Sequence, residues 1–256
     1  MHGKKILVTG PPEDRIVRAF NNVRFYKIDM SGKCDSLHSN NKTGITKLIG
    51  RPVLWNNENQ MTGDLMHLIG NNKTEKLDSL KVLNNAFLIQ KDTLSENGYN
   101  QIKGQNLYGK FKENKLSEVD IIKNAEVIYY SYNDQNELIG IDKKVCSKIN
   151  LEIEDNKIQT ITSFKDVDSF TYPDAEFPEN ARKLRGFIWR GDERIKTKDD
   201  IFPDEENEIH EKILIESKKK AEEIDLPMET LPETLDYDKN EAKSNSKTSE
   251  KKQTQA

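Results

Sequence analysis

The stretch VLNNAFLI, residues 82–89, decides the fold of this chain. The same arrangement, an apolar run interrupted near its middle, recurs as AFNNVRFY at residues 19–26, LIGRPVLW at 48–55 and IIKNAEVI at 121–128, and more faintly from Ser163 onward. The copies follow one another at slowly lengthening intervals. Self-similarity of this kind predicts one supersecondary unit stacked on copies of itself.

Each copy carries a polar or glycine-containing pair at the same place. The pairs are Asn21-Asn22, Gly50-Arg51, Asn84-Asn85 and Lys123-Asn124. Such pairs suit a bulge or corner, where a strand bends and its side chains change face. Beyond the pair, alternate positions are always apolar, which places one apolar row on one face of a sheet. The position between them admits Arg24 and Glu126, and these two are expected to face water.

Strand-like segments also precede and follow each copy, and the turns between them are rich in Asn, Gly and Asp. These residues tolerate the backbone of tight hairpins. No helical periodicity occurs before residue 170. The sequence therefore predicts an all-β fold of stacked antiparallel hairpins over residues 1–170.

The pattern changes after residue 170. Residues 171–203 are predicted to form a C-terminal cap, with Phe187 and Trp189 packed over the end of the stack, because repeat proteins need such caps. Residues 204–226 are predicted to form a charged, solvated helix. Residues 227–256 contain almost nothing to bury, and this predicts a disordered tail.

Composition argues against several functional classes. The net charge of −4 gives no basic footprint for nucleic acid, and no Walker motif, HExxH or nucleophile elbow is present. We therefore expect no enzyme, no cofactor and no metal site. Cys34 and Cys146 are expected to be unpaired, partly buried thiols. The sequence shows neither a transmembrane segment nor a signal peptide.

The apolar row has two interpretations that periodicity alone leaves open. In one, it is an ordinary closed β core, and the protein is a rigid structural scaffold. In the other, the stack is an open trough whose interior accepts acyl chains. Closed and open stacks share one pattern. The residues by themselves favour the closed core, which is the ordinary arrangement.

Several segments in one order resemble a known family. They are GKCDSL (32–37), GRPVLW (50–55), QMTGD (60–64), LNNAF (83–87), YNQIKG (99–104) and LRGFIWR (184–190). With these motifs the chain resembles the organic-solvent-tolerance-protein-A-like (OstA-like) family of lipopolysaccharide transport, in the long form seen in Bacteroidota-type Gram-negative bacteria. The resemblance covers residues 4–202.

This resemblance implies a twisted β-jellyroll, or β-taco, with an open trough that binds the acyl chains of lipid A. The groove candidates are Phe25, Leu54, Leu88 and Val127 on one side and Leu80, Val82, Val119 and Ile121 opposite. It also implies edge-to-edge stacking with other lipopolysaccharide-transport β-jellyroll proteins, and a periplasmic, outer-membrane-associated location. Since family members are exported, we expect that this chain lacks its N-terminal part.

Overall fold

The computed structural model describes residues 1–71, 74, 76–155 and 157–202. The predicted charged helix (204–226) and disordered tail (227–256) lie outside these residues. In the described part of the chain, no helix is long and apolar enough to cross a membrane.

The described residues form thirteen strands and five short 3₁₀ helices. The strands are β1 (Lys5–Thr9), β2 (Ile16–Lys27), β3 (Met30–Asn40), β4 (Ile45–Ile49), β5 (Val53–Asn56), β6 (Asn59–Thr62), β7 (Leu65–Gly70), β8 (Leu77–Lys91), β9 (Tyr99–Lys112), β10 (Lys115–Tyr132), β11 (Leu138–Glu154), β12 (Lys157–Phe164) and β13 (Asp168–Tyr172). The 3₁₀ helices are Pro12–Asp14, Asp174–Glu176, Glu179–Ala181, Gly191–Glu193 and Asp199–Ile201.

All thirteen strands of the described chain belong to one sheet in which every pairing is antiparallel. Its main path runs β1-β2-β3-β4-β7-β8-β9-β10-β11-β12, with β5, β6 and β13 beside it. Neighbours along this path are nearly all sequential hairpins, as the turn chemistry of the sequence predicts. The all-β fold of stacked antiparallel hairpins is therefore confirmed.

A two-residue corner with left-handed backbone bends each of the repeated strands. The pairs are Asn21-Asn22 (φ 63° and 55°), Gly50-Arg51 (77° and 45°), Asn84-Asn85 (59° and 50°), Lys123-Asn124 (65° and 53°) and Lys165-Asp166 (56° and 51°). The strand register also shifts at the corners inside β2, β8 and β10. The corners predicted from the repeat are thus confirmed, and the faint fifth copy has one as well.

The corners divide the sheet into two halves. Half-sheet A comprises β1, β4, β7, β12 and residues 16–20, 36–40, 77–83, 106–112, 115–122 and 148–154. Half-sheet B comprises β5, β6, β13 and residues 23–27, 30–34, 86–91, 99–104, 125–132 and 138–146. Buried residues of both halves, such as Leu48 of A and Leu54 of B, belong to one hydrophobic cluster. The inner faces of A and B therefore pack against each other.

The left-handed backbone of each corner restricts which residue types fit there. Asn84 is exposed and has φ 59°. A β-branched residue is strained in that region. We expect Asn84→Val to lower the free energy of unfolding by about 1–2 kcal/mol, whereas Asn84→Gly should change it by less than about 0.5 kcal/mol. Urea denaturation of both variants measures the difference, and equal stabilities would contradict it.

Residues 173–202, here called the strap, run across the outer face of half-sheet B. Phe177 packs on Tyr172 near β13 with ring centroids 5.2 Å apart, and Phe202 reaches His2 at the opposite end of the sheet, at 5.3 Å. Between them, Phe187 lies 5.1 Å from the Tyr99 ring of β9. The prediction that Phe187 and Trp189 pack over the end of the stack is wrong, because both contact Tyr99 in its middle.

Two buried glutamines of half-sheet B hold the strap. Gln60 donates to the carbonyl of Ile188 at 2.8 Å and accepts from the N–H of Arg190 at 2.7 Å. Gln101 donates to the carbonyl of Arg182 at 2.7 Å and accepts from the N–H of Leu184 at 2.9 Å. Each amide thus pairs with the strap backbone as a neighbouring strand would. Because both glutamines are fully buried, these hydrogen bonds are shielded from water.

An ion-pair cluster fixes the strap near β3. Glu193 accepts hydrogen bonds from Arg190 Nε at 2.8 Å and from Lys33 Nζ at 2.6 Å. The bonds from Arg190, and then those from Lys33, lower the pKa of Glu193 from its ordinary 4.5 to about 2, while burial opposes them. Because the pKa is lower in the folded chain, this stabilisation is complete above about pH 4.5 and declines as the pH falls toward 2.

We therefore expect Glu193→Gln to be less stable than the parent chain near pH 6, with a smaller difference near pH 3. Urea denaturation of both proteins at the two pH values measures this change. A stability difference that grows on acidification would contradict it.

Candidate functional site

The space between the two half-sheets is lined by straight rows of residues that face each other. Among these rows are two on half-sheet A and one on half-sheet B. The first A row is Val17, Ser39, Thr46, Leu68, Leu80, Gly109, Val119, Leu151 and Ile161. The second A row is Ala19, Leu37, Leu48, Met66, Val82, Leu107, Ile121, Ile149 and Ser163. The B row is Phe25, Gly32, Leu54, Met61, Leu88, Ile102, Val127, Lys144 and Ser169.

All eight predicted groove residues lie in these rows. Phe25, Leu54, Leu88 and Val127 stand in the B row, Leu80 and Val119 in the first A row, and Val82 and Ile121 in the second. Every one except Phe25 is at most 1% exposed. The structure therefore brings the eight residues to facing surfaces, and those surfaces are in contact along most of the stack.

The interior between the half-sheets is exposed to solvent at its β1 end. Ile6 and Val8 of β1 pair with Ala19 and Val17, so they face the interior, yet they are 42% and 57% exposed. Across from them in the B row, Phe25 is half-buried and packs against the core. An apolar surface is thus open to solvent at this end.

At the β13 end, the half-sheet B side of this interior is polar instead. There the B row ends in Lys144 and Ser169. In the next inner row, farther from the corners, Asp142 accepts hydrogen bonds from Ser131 and Thr171. Because carboxylate and ammonium groups are costly to bury against hydrocarbon, the half-sheet B side of the interior is apolar at the β1 end and polar at the β13 end.

The edge of the interior that lies opposite the corners is here called the mouth. Residues from both half-sheets close it. Asn56 of half-sheet B is fully buried and donates to the carbonyls of Asp29, at 2.8 Å, and Asn114, at 3.1 Å. Its side-chain oxygen accepts from the N–H of Leu116 at 3.2 Å. Asn114 and Leu116 belong to the β9–β10 hairpin of half-sheet A. Asn56 therefore bridges the two halves.

Sequence reasoning missed the buried amides along this mouth. Asn56, Asn59, Gln90 and Asn100 are all at most 9% exposed and lie beside the hairpin turns of half-sheet B. Gln90 donates to Asn59 at 3.3 Å, and Asn100 accepts from the N–H of Tyr130 at 2.9 Å. The only available signal was an amide flanking each turn, and turns are commonly rich in Asn for local reasons.

The two cysteines lie in the interior of the sheet. Cys34 and Cys146 are buried and unpaired, as predicted. Burial raises the pKa of the Cys34 thiol from 9 to about 12, so it stays protonated at neutral pH. The described residues contain no group of three or more His, Cys, Asp or Glu side chains placed to hold a metal ion.

Comparison with known proteins yields similarity to solved structures. No family model matches the chain, and no curated protein matches it. The fold is similar to the crystal structure of LptH, the LptA-homologous periplasmic component of the lipopolysaccharide transport device of Pseudomonas aeruginosa. The two share 15% sequence identity with a TM-score of 0.43, and the match covers 57% of this chain and 100% of LptH. Because a likeness of this degree carries no functional information, what this chain binds has to be argued from its own residues.

Proposed function

We propose that this chain is a non-enzymatic, periplasmic protein of lipopolysaccharide transport or outer-membrane assembly, which holds the acyl chains of lipid A between its two half-sheets. The observation that carries the proposal is the apolar lining. It continues across the strands and reaches solvent at Ile6 and Val8. Burial of hydrocarbon contributes about 0.8 kcal/mol per methylene and has no preferred direction. A chain held this way can slide along the rows.

We also propose that the sheet stacks edge to edge with similar β-jellyroll domains. In the described chain β1 pairs with β2 alone, and β12 and β13 pair with β11 alone. Their outer backbone groups are free to accept another strand. Phe164 and Phe170 are 44% and 55% exposed at the β13 end, so both edges present apolar side chains.

A second candidate is a closed-core scaffold that binds no lipid. The packing of the rows favours it, because Leu54, Leu80 and Ile121 are fully buried against other side chains. Under this alternative the rows serve stability alone. The lipid proposal requires the half-sheets to separate, or lipid to enter from the β1 end.

Photo-crosslinking separates the two candidates. Phe25 and Tyr26 are adjacent half-buried aromatic residues that point to opposite faces of β2, Phe25 inward and Tyr26 outward. Each is replaced in turn by p-benzoyl-phenylalanine, and the purified chain is irradiated with lipopolysaccharide. The lipid proposal predicts adducts from position 25 and not from position 26.

The opposite result is equally informative. A folded protein that yields no adduct from position 25, or equal adducts from both positions, would contradict lipid binding in the trough. The first of these results would support the scaffold. Circular dichroism of each labelled protein establishes that it is folded.

A further inference from the structure

The outer face of half-sheet A differs from that of half-sheet B because the strap does not cover it. Strand registers align one residue from each strand straight across this face. The row is Leu7, Arg18, His38, Lys47, His67, Lys81, Tyr108, Asp120, Asn150 and Thr162. Its members from Arg18 to Lys81, here called the basic row, are five basic side chains on five successive strands.

No acidic side chain accompanies the basic row. The flanking residues on the corner side are Phe20, Ser36, Ile49, Leu65 and Leu83, and those on the other side are Ile16, Asn40, Ile45, Ile69 and Ser79. In the described chain, Arg18, Lys47 and Lys81 form no ion pair within 4.0 Å. The positive charge of this row therefore has no counterpart within the sheet.

Glu118 and Asp120, on the same face beyond the end of the basic row, have cationic partners. Glu118 pairs with Lys110 at 2.7 Å, and Asp120 pairs with Lys148 at 2.8 Å. Asn150 also donates to both carboxylates. The two carboxylates of this face that lie nearest the basic row thus have ion-pair partners of their own, although the chain as a whole carries a net charge of −4.

The basic row is also accessible. Lys47 and Lys81 are exposed, and Arg18 is half-buried. Between the two lysines, His67 Nε2 has no hydrogen-bond partner. Burial and the charges of Lys47 and Lys81 lower the pKa of His67. The permanent charges at neutral pH are therefore Arg18, Lys47 and Lys81.

We propose that the basic row is the docking site for an acidic amphipathic helix of a partner protein, laid across the strands of half-sheet A. Adjacent strands are about 4.8 Å apart, and one helical turn rises about 5.4 Å. A helix with one carboxylate per turn therefore meets each strand in succession, within the reach of Lys and Arg side chains. An extended peptide fits less well, because its same-face side chains recur about every 6.8 Å.

The flanking rows favour a helix over a membrane. Phe20, Ile49, Leu65 and Leu83 are half-buried, so apolar side chains of a helix can pack on them. Apolar side chains that enter a bilayer project into the lipid, whereas these four are already partly covered by the protein. The charges also lie on one line, whereas a planar lipid surface favours a spread of cations.

A designed peptide tests the proposal with the full chain. The probe is a fluorescent helix of about six turns with one Glu per turn flanked by Leu, and its binding is followed by anisotropy. Combined substitution of Arg18→Gln, Lys47→Gln and Lys81→Gln is expected to weaken binding about tenfold. The matched control, Lys91→Gln with Lys112→Gln and Lys157→Gln, makes the same change of net charge at exposed sites elsewhere. It should weaken binding by less than about twofold.

Three outcomes would overturn the proposal. In the first, the parent chain fails to bind the peptide, or the two triple variants lose equal affinity. In the second, a peptide of the same composition with its Glu residues out of helical register binds as well, which would indicate simple charge attraction. In the third, vesicles of phosphatidylglycerol and phosphatidylcholine bind through the basic row while the peptide does not, which would indicate a membrane-facing surface.

Discussion

Asn56→Ala is expected to lower the free energy of unfolding by about 2–4 kcal/mol. The substitution leaves the carbonyls of Asp29 and Asn114 and the N–H of Leu116 without the side chain that bonds them from a fully buried position. Each unsatisfied buried group costs about 1–3 kcal/mol, and relaxation of the hairpin recovers part of this. Urea denaturation measures the loss, and hydrogen exchange should show faster exchange of the Leu116 amide.

Asn59→Ala is the matched control for this prediction. Asn59 is equally buried and belongs to the same row of amides, but its hydrogen bond is to Gln90 of the same half-sheet. It should therefore cost less stability and leave exchange at Leu116 unchanged. Equal effects of the two substitutions would show that Asn56 does not hold the mouth closed.

The same variant bears on the proposed function. If acyl chains enter by separation of the half-sheets, Asn56→Ala should raise the yield of lipopolysaccharide adducts from position 25, because the bridge to Asn114 is gone. A closed-core scaffold would be destabilised without any gain in adducts. Stability and adduct yield together therefore distinguish a structural bridge from one that also limits lipid entry.

Gln101→Leu is expected to release the middle of the strap and to lower the free energy of unfolding by about 2–4 kcal/mol. Leucine can neither donate to the Arg182 carbonyl nor accept from the Leu184 N–H. Both backbone groups would then lack a partner beside the buried Leu184 side chain. Hydrogen exchange should accelerate over residues 182–190 and not at the corners.

Gln105→Leu controls for the loss of an amide from the same strand. Gln105 is exposed and lies at the corner, so its replacement should change stability by less than about 0.5 kcal/mol. Unchanged exchange over the strap in Gln101→Leu would show that apolar contacts alone hold this segment.

The sequence was most informative where a local backbone requirement selects the residue type. Asn84-Asn85 and its counterparts could be placed at corners because a left-handed backbone favours Asn and Gly. Period-two alternation then sufficed to place Leu88 and Val127 on one inner face. These inferences depend on neighbouring residues alone, and the structure agrees with them.

The strap could not be placed because its position depends on distant contacts. Arg24 and Glu126 indicated an outer face of half-sheet B turned to water, yet on the same face Phe87, Ile128 and Tyr130 are nearly fully buried. The alternating pattern identifies one apolar row, but it does not show whether the residues on the opposite face are buried as well. The covering residues follow some 50 positions after Ile128, and only the fold brings Phe177 and Leu184 onto it.

The basic row could not be predicted from the sequence either. Arg18, His38, Lys47, His67 and Lys81 are separated by irregular intervals along the chain, and their alignment exists only through hairpin register. A one-residue slip in any hairpin would turn the affected residue inward.

The strap also limits how this architecture can change in length. Repeat proteins ordinarily gain or lose units freely, because each unit contacts only its neighbours. Here a single segment is anchored at Gln101, Gln60 and Lys33 in turn. The spacing of its attachment points must therefore match the spacing of the strands beneath. Duplication of one hairpin would separate two anchors by a further 10 Å or so, about three extended residues. Insertions in the sheet and in the strap would therefore have to arise together, and the number of hairpins is fixed by a segment that contains no strand.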